Sequence, residues 1–399
     1  MAMQLPIRVG VIGAGFIGPA HIESLRRLGY VSVEALAGRD QESAERKAAA
    51  LFIPKAYGHY DDLIADPEID AIHICSPNRE HYPAAKAALA AGKHVVCEKP
   101  LGMTSAESAE LVALAESSKL VHAVTFNVRF YPLVQQMRTM ILRGDLGAIY
   151  MVHGGFWQDW LLLETDYNWR VEAAQGGALR AVGDIGSHWM DLAQFITGLP
   201  VQRVLADLVT FLPVRQKPER ALDAFTTGDM PRTAQTVDTE DAASVLLRLG
   251  DHTRGLMQVS QVSAGRKCRL SIEVNGARGS LAWDAERPNE LWIGHRERPN
   301  ELLIKDPSLM DEPARSVARY PGGHDEGFAD SHTALNRAIY DYIRAGGYSS
   351  GRRPVFPTFV DGHRENLIAD AVLASARESR WVSIDVPPLV ARSDRTGST

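Results

Sequence analysis

The stretch IRVGVIGAGFIG at residues 7–18 decides the fold of the first half of the chain. Its first six residues are rich in β-branched side chains and predict a strand, and the GxGxxG pattern that follows opens a helical stretch ending at Gly29. Residues 31–37 are β-rich again, at the spacing of a βαβ unit. This order predicts a dinucleotide-binding fold, because a glycine turn at a helix N-terminus accommodates a pyrophosphate.

The glycines of this turn have separate expected roles. Gly13 permits the tight turn, Gly15 lets backbone amides approach a pyrophosphate, and Gly18 allows the helix to pack closely on the strand. Phe16 and Ile17 begin the helix between them. We therefore expect these five residues to contact the cofactor.

Strand-like and helix-like segments keep alternating up to residue 126, which predicts a doubly wound parallel sheet with helices on both faces. In such sheets, ligands bind outside the carboxyl ends of the strands. Candidate cofactor contacts follow three predicted strands at these ends: Ser76, Pro77, Asn78, Glu98, Lys99 and Asn127. Glu98 has an alternative role as a helix cap or a salt-bridge partner.

From about residue 146 the pattern becomes β-rich, which predicts an open, mainly antiparallel β-sheet. We expect a dinucleotide-binding domain over residues 1–145 and a substrate-binding and oligomerisation domain over residues 146–399, with a C-terminal helix packing back on the first domain. One face of an open sheet stays exposed unless another subunit covers it. A homodimer or homotetramer through this sheet is therefore expected, and the polar residues 215–236 are expected to form a surface insertion.

The composition excludes several classes of partner. The 399 residues carry a net charge of −6 without a basic stripe, so nucleic acid is not an expected partner. The sequence contains no run of about 18 apolar residues, so no membrane span is predicted. Three cysteines without CxxC spacing predict neither a disulfide framework nor a zinc site, and a cytoplasmic location is expected.

Several motifs together resemble those of the glucose-fructose oxidoreductase and inositol dehydrogenase (Gfo/Idh/MocA) family, and the match covers almost the whole chain. They are SPNREH at residues 76–81, CEKPL at 97–101, NWR at 168–170, GGAL at 176–179 and GDIGSHWMDL at 183–192. The sequence around them is most similar to the branch that contains levoglucosan and related anhydrosugar dehydrogenases.

The resemblance implies a hydride transfer between a nicotinamide cofactor and a CH–OH group of a sugar, anhydrosugar or cyclitol. It also implies a catalytic and substrate-binding set of Lys99, Asp184 and His188, and a cis bond before Pro100. Further cofactor contacts are implied for His81, Trp169 and Arg170.

The chemistry of the three side chains fits such roles. Asp184 and His188 are four residues apart on a predicted helix, so that the carboxylate is expected to support the imidazole on one face. A histidine of ordinary pKa near 6.5 suits proton transfer at neutral pH, and we expect activity to rise with pH as His188 loses its proton. The Lys99 ammonium suits the stabilisation of an alkoxide.

The choice between NAD and NADP stays open in the sequence. Many NAD enzymes have an acidic residue after the second strand, but here this position is Gly38, followed by Arg39 and Asp40. Arg39 suits a 2'-phosphate or stacking on adenine, whereas Asp40 suits the ribose hydroxyls. The anhydrosugar branch favours NAD slightly.

Three further interpretations belong beside this one. His324, just before a predicted helix, is a candidate substrate contact, with a capping or surface role as the alternative. Asp184, His188 and Asp191 have the residue types of a metal site, but no further cluster completes a ligand shell, so no metal is expected. A protein that binds a nicotinamide cofactor without turnover, as a sensor or partner, is the alternative from another functional class.

Overall fold

A computed structural model describes residues 5–220 and 230–385. Residues 221–229 of the predicted insertion and the tail of the second predicted domain lie outside these ranges. The first half contains β1 (Ile7–Ile12), α1 (Ile17–Arg26), β2 (Val31–Ala37), α2 (Gln41–Ala50), β3 (Lys55–Tyr57), α3 (Tyr60–Ala65), β4 (Ala71–Ile74), α4 (His81–Ala90), β5 (His94–Cys97), α5 (Ser105–Ser118) and β6 (His122–Val124).

The remainder of the described chain combines eleven strands with six helices. It contains α6 (Pro132–Arg143), β7 (Ile149–Trp157), α7 (Ala173–Gly176), α8 (Ser187–Thr197), β8 (Val201–Val209), β9 (Val214–Pro218), β10 (Arg232–Thr236), β11 (Ala242–Leu249), β12 (Thr253–Ser260), β13 (Arg269–Gly276), β14 (Ser280–Asp284), β15 (Glu290–Gly294), β16 (Glu301–Ile304), α9 (Glu312–Val317), α10 (Phe328–Arg344), α11 (Phe359–Glu378) and β17 (Val382–Ser383).

The first sheet confirms the doubly wound prediction. Its six strands run in the order β3-β2-β1-β4-β5-β6, and every pairing is parallel. The direction of winding changes between β1 and β4, and in open sheets the ligand crevice lies at such a switch point. The turn after β1 and the residues after β4 therefore flank the same crevice.

The second sheet has nine strands in the order β16-β15-β14-β13-β7-β12-β11-β8-β17. It is mainly antiparallel, as expected, but β7 and β12 pair in parallel, so the sheet is mixed. One face packs against α8 and its neighbours, where Trp189 and Leu192 are fully buried. The parallel pair brings the carboxyl ends of β7 and β12 together beside α8.

Helices in the C-terminal part of the chain pack into the hydrophobic cores of both sheets. Leu335 and Ile339 of α10 share a core with Val9 and Leu25 of the first sheet layer, so this helix packs back on the first half. Helix α6, by contrast, packs with the second sheet. The division of the chain at residue 145 stays a prediction.

The predicted surface insertion is partly buried. Strands β9 and β10 form an antiparallel hairpin, and the Arg215 guanidinium within it has no exposed surface. It donates to Oδ1 of Asp241 at 2.7 Å and to the Leu161 carbonyl at 2.9 Å. A buried cation is kept where an acid and backbone carbonyls satisfy it. Within the described ranges, no helix has the length and apolar character required to cross a membrane.

Candidate active site

The glycine turn has the geometry that the sequence predicts. Gly13 has φ of +90°, and a side chain there would meet the Cys75 carbonyl oxygen at 2.8 Å. A Cβ on Gly18 would lie 2.3 Å from the Gly13 carbonyl oxygen, whereas a Cβ on Gly15 would meet no atom within 4 Å. The first and third glycines are therefore required by the fold, and the second faces open space.

That open space suits a dinucleotide pyrophosphate. Helix α1 starts after Phe16 without a side-chain hydrogen bond to its first amides, so these N–H groups and the positive end of the helix dipole are available to an anion. Ser76, across the switch point, has a buried hydroxyl without a partner among the described residues. The unfilled donors and the room at Gly15 fit the cofactor that the sequence predicts.

We expect Gly15→Val to weaken dinucleotide binding by at least tenfold, because its side chain would occupy the space of the pyrophosphate without disturbing the fold. Fluorescence titration of the purified protein with NADH and NADPH measures this. Gly18→Ala is the contrasting variant, since its methyl group collides with backbone and should lower the melting temperature. Unchanged affinity in a folded Gly15→Val protein would contradict the assignment.

The turn after β2 is organised by Asp40. Its carboxylate caps α2 by accepting from the Ser43 N–H at 2.7 Å, and it also accepts from Arg39 Nε at 2.9 Å. These bonds hold the pKa of Asp40 below its ordinary value. A Cβ on Gly38 would lie 3.0 Å from Ala44, so an acidic residue at Gly38 would press on α2. Asp40 and Arg39 are the groups of this turn that remain exposed near the expected adenosine ribose.

Residues after β4 and β6 form the walls of the crevice. Asn78 donates to the Gly176 carbonyl at 2.8 Å, and Asn127 donates to the Ser331 hydroxyl at 2.9 Å. His81 is buried, and its two ring nitrogens lie 2.6 Å and 3.0 Å from the carbonyl oxygens of Pro100 and Ser76. His81 thus links the two loops, and its contact with a cofactor stays a prediction.

Lys99 and Asp184 form the centre of the site. Lys99 Nζ donates to the Asp184 carbonyl oxygen at 2.6 Å and to its Oδ1 at 2.9 Å, and both side chains are largely buried. The Lys99–Pro100 bond is cis, as the resemblance implies. Burial opposes a charge on Asp184, but Lys99 and Arg170 hold its pKa well below the ordinary value. Asp184 therefore stays ionised at neutral pH.

No hydrogen bond joins Asp184 to His188 within the described structure, although burial lowers the pKa of His188 and the Asp184 charge acts on the ring to raise it. Residues 182–186 form a π-helical turn, and His188 lies in the α-helix that follows it. The carboxylate already accepts from Lys99, from Arg170 Nε at 3.2 Å and from Gln261 Nε2 at 2.9 Å. Asp184 thus holds Lys99 by hydrogen bonds and acts on the imidazole through its charge.

His188 lies between two aromatic rings. Its ring centroid is 5.9 Å from that of Phe126 and 6.4 Å from that of Phe156, and its Nδ1 is buried without a partner in the described residues. Burial, followed by the charge of Lys99, lowers the pKa of His188 to about 3. The ring is therefore neutral at physiological pH, and Nε2 is the nitrogen available to a ligand.

Arg170 lies next to Asp184, where its Nε contacts the same Oδ1 as Lys99, and Trp169 lies beside Arg170. The guanidinium carbon of Arg170 is 4.4 Å from the centroid of the Trp169 ring and 5.9 Å from that of Trp160. Two stacked faces and an ion pair hold a planar cation firmly. Both residues predicted as cofactor contacts therefore belong to the site, with Arg170 also fixing Asp184.

Two supporting residues escaped the sequence analysis. Gln261 follows β12 and is fully buried, and the parallel pairing of β7 with β12 brings it to Asp184. Glu240 is also buried and accepts from the backbone N–H groups of Arg180 and Val182, at the start of the π-helical turn. Neither residue lies in a recognisable motif, since only the tertiary fold brings them to this turn.

Within the described structure, the hydrogen bonds of His324 are to its own segment and to Lys305. Its side chain is exposed, and its Nδ1 lies 3.4 Å from the Gly322 carbonyl oxygen. The segment around it is anchored by a buried ion pair between Lys305 and Glu326. A role for His324 in substrate binding stays a prediction. Among the described residues, no group of three or more histidine, cysteine, aspartate and glutamate side chains is arranged to hold a metal.

Comparisons with known proteins agree with this geometry. Residues 7–126 match the model of the GFO/IDH/MocA oxidoreductase family with an NAD-binding Rossmann fold, and residues 134–282 match the GFO/IDH/MocA C-terminal domain. The chain is 28% identical to levoglucosan dehydrogenase of Pseudarthrobacter phenanthrenivorans, over 96% of this chain and 99% of that one. It is 33% identical to bovine trans-1,2-dihydrobenzene-1,2-diol dehydrogenase, over 75% of this chain and 78% of that one.

Solved structures show the same likeness. Levoglucosan dehydrogenase in complex with NADH and L-sorbose is similar over 96% of this chain and all of that one, with a TM-score of 0.86 and 26% identity. An inositol dehydrogenase homologue from Azotobacter vinelandii, complexed with NAD+, is similar over 96% of this chain and 98% of that one, with a TM-score of 0.83 and 26% identity. The chain thus belongs to the GFO/IDH/MocA family of oxidoreductases with an NAD-binding Rossmann fold.

Proposed function

We propose that the protein is a dehydrogenase that transfers a hydride between NAD or NADP, with NAD preferred, and a CH–OH group of a sugar, anhydrosugar or cyclitol. The observation that supports it most is the buried Lys99–Asp184 pair beside a neutral His188, at the carboxyl ends of the first-sheet strands. A cation and a neutral base side by side are the two groups that alcohol oxidation requires. The relatives that act on levoglucosan or on a dihydrodiol point to a cyclic, hydroxylated substrate.

The cofactor is held by the residues of the crevice in this proposal. The start of α1 and the room at Gly15 accept the pyrophosphate, and Ser76 and Asn127 line the path towards Lys99. When bound, the nicotinamide ring supplies the acceptor or donor of the hydride.

The side chains of the site carry out the remaining chemistry. His188 takes up the hydroxyl proton at Nε2 as the carbonyl forms. Lys99, fixed by two bonds to Asp184, directs its ammonium to the same oxygen and stabilises the negative charge that develops there. Arg170 and Gln261 keep the Asp184 carboxylate in place, so Lys99 does not need to reorganise during the reaction.

A substrate panel tests the proposal. Sugars, anhydrosugars including levoglucosan, and inositols are incubated with NAD+ or NADP+, and reduced nicotinamide is followed by absorbance. We expect turnover with at least one of these cyclic polyols. Tight binding of the dinucleotide without turnover on any of them would instead support the alternative of a cofactor-binding sensor.

The turn after β2 predicts the cofactor preference. We expect Asp40→Ser to weaken NAD binding by about tenfold or more, because hydrogen bonds from the ribose hydroxyls to a carboxylate are lost, and to leave NADP binding nearly unchanged. Serine keeps the cap of α2, so the change isolates the ribose contact from helix stability. Titration of both cofactors measures this, with Arg39→Ala as the partner variant that affects NADP more. Equal effects of Asp40→Ser on both cofactors would contradict the preference for NAD.

The open face of the second sheet supports a homodimer or homotetramer. A row of residues paired across neighbouring strands crosses this face, with one residue from each of seven strands. In spatial order they are Leu246, Leu256, His153, Glu273, Ala282, Trp292 and Leu302. Leu246, Leu256 and Leu302 are 44%, 42% and 54% exposed, which leaves a largely apolar row for a second copy to cover. Sedimentation velocity tests this, since a monomer at micromolar concentration would contradict it.

A further inference from the structure

A buried series of hydrogen-bonded side chains lies next to the end of β5, which is followed by Glu98 and Lys99. His21 lies on α1, one turn after its first residue, and has no exposed surface. Its Nε2 is 3.0 Å from Oε1 of Glu98, and its Nδ1 is 2.8 Å from Nδ1 of His73. Nε2 of His73 is in turn 2.8 Å from the Tyr340 hydroxyl. The series joins α1, β4, the end of β5 and α10.

The contacts are complete when His21 is protonated. Its Nε2–H then donates to the Glu98 carboxylate and its Nδ1–H to Nδ1 of His73, which keeps its own proton on Nε2. Burial disfavours the charged ring, whereas the Glu98 carboxylate raises the pKa of His21. Burial likewise opposes the charge on Glu98, but His21 lowers its pKa to about 2. With the ring protonated, His21 and Glu98 form a buried ion pair at 3.0 Å.

Glu98 connects this pair to the catalytic lysine. Its Oε2 accepts from the backbone N–H of Lys99 at 3.3 Å, while the Lys99 ammonium is held by Asp184. The backbone of Lys99 is thus held by Glu98, in the first domain, and its side chain is held by Asp184, in the turn before α8. Glu98 anchors the Lys99 backbone only while His21 holds the Glu98 carboxylate in place.

His332 of α10 covers the pair. Its ring centroid lies 5.4 Å from that of His21, it is 2% exposed, and neither ring nitrogen has a partner among the described residues. Burial, followed by the charge of His21, lowers its pKa to about 3, so it contributes an uncharged wall. Exclusion of water strengthens the attraction between His21 and Glu98.

We propose that His21 is a positioning residue for Lys99, which fixes the lysine backbone through Glu98 and ties it to the helix whose start receives the cofactor pyrophosphate. The inference rests on the proposed function in that Lys99 is the group that meets the substrate oxygen. A catalytic group displaced by about 1 Å can cost on the order of 10² in rate. A histidine that only filled the core would have no such effect on turnover by the folded protein.

The variants separate positioning from packing. His21→Leu removes one ionic partner, whereas His21→Leu with Glu98→Leu replaces both by apolar groups, a change that buried ion pairs often tolerate without loss of stability. His21→Gln keeps an amide donor for Glu98. His122→Leu is the matched control, because His122 is also buried in this sheet but contacts Tyr348 and the Phe359 backbone instead of Glu98.

We expect His21→Leu to lower kcat by about 10²-fold, with the substrate KM and the NADH Kd within about threefold of wild type. His21→Gln should recover at least fivefold of this loss, and the double variant should melt near the wild-type temperature while its kcat stays low. His122→Leu should lower the melting temperature and keep kcat. Wild-type kcat in folded His21→Leu, or a glutamine variant no better than leucine, would overturn the proposal.

A measurement without turnover distinguishes this inference from the proposed function. Nitrogen-15 NMR of histidine-labelled protein, assigned by comparison with His21→Gln, should show both ring nitrogens of His21 protonated at pH 7, and Glu98→Gln should abolish this state. A neutral His21 in the wild type would overturn the inference, even if the substrate panel succeeds. Failure of the panel with a protonated His21 would contradict the proposed reaction alone.

Discussion

Lys99→Met is expected to lower kcat by about 10²- to 10³-fold, the range found when a preorganised donor to a developing oxyanion is removed. The Lys99 ammonium donates to two oxygens of Asp184, and its third N–H group is directed into the crevice beside His188. Because the low pKa of His188 makes that ring a weak base, stabilisation of the alkoxide by Lys99 has to supply a large part of the rate. Steady-state kinetics with the best substrate of the panel measure the loss.

Lys93→Met is the matched control for this substitution. Lys93 lies at the opposite end of β5, is also buried, and donates to the carbonyl oxygens of Asp66 and Ile69. Its loss should destabilise the fold and leave kcat of the folded protein unchanged. Lys99→Arg should not restore activity, since a planar fork does not replace a compact ammonium between two oxygens of Asp184. Turnover within tenfold of wild type in folded Lys99→Met would reject the role of Lys99.

The fold of the first half followed from local signals. The strands predicted at residues 7–12 and 31–37 have these same bounds in the structure, because buried parallel strands read as short β-rich runs between glycine and helix signals. Strand β3 was not predicted, since three residues are too few to show a pattern. In the second half, the parallel pairing of β7 with β12 was missed, because strand order depends on contacts between distant segments.

Residues of the candidate site could be named from the sequence, but only some of the contacts between them could be predicted. Lys99, Asp184 and His188 were identified through motifs, but the hydrogen bonds that Asp184 accepts from Lys99, Arg170 and Gln261 were not predicted. The lysine partner of Asp184 lies 85 positions earlier in the chain, and the glutamate partner of His21 lies 77 positions later. No local pattern specifies such pairs. Gln261 carries no motif at all, and only the adjacent ends of β7 and β12 bring it to the site.

His188→Ala is expected to lower kcat by about 10²-fold, while the NADH Kd stays within about threefold of wild type. This loss is at the lower end of the usual contribution of a positioned base, because the low pKa makes this ring a weak base. His153→Ala is the control, because this half-exposed histidine lies on the second sheet and contacts Asn275. Near-normal turnover by folded His188→Ala would transfer the proton-accepting role to Lys99.

The pH profile tests the same assignment in the intact enzyme. A histidine whose folded pKa is about 3 is neutral from pH 5 to 8, so kcat/KM should show no acid limb near pH 6.5, in contrast to what an ordinary histidine predicts. Because the charge of Lys99 is one cause of the lowered pKa, Lys99→Met should move the acid limb of the residual activity up towards neutral pH. A wild-type limb near pH 6.5 that disappears in His188→Ala would show that the ring is more solvated than its two aromatic neighbours allow.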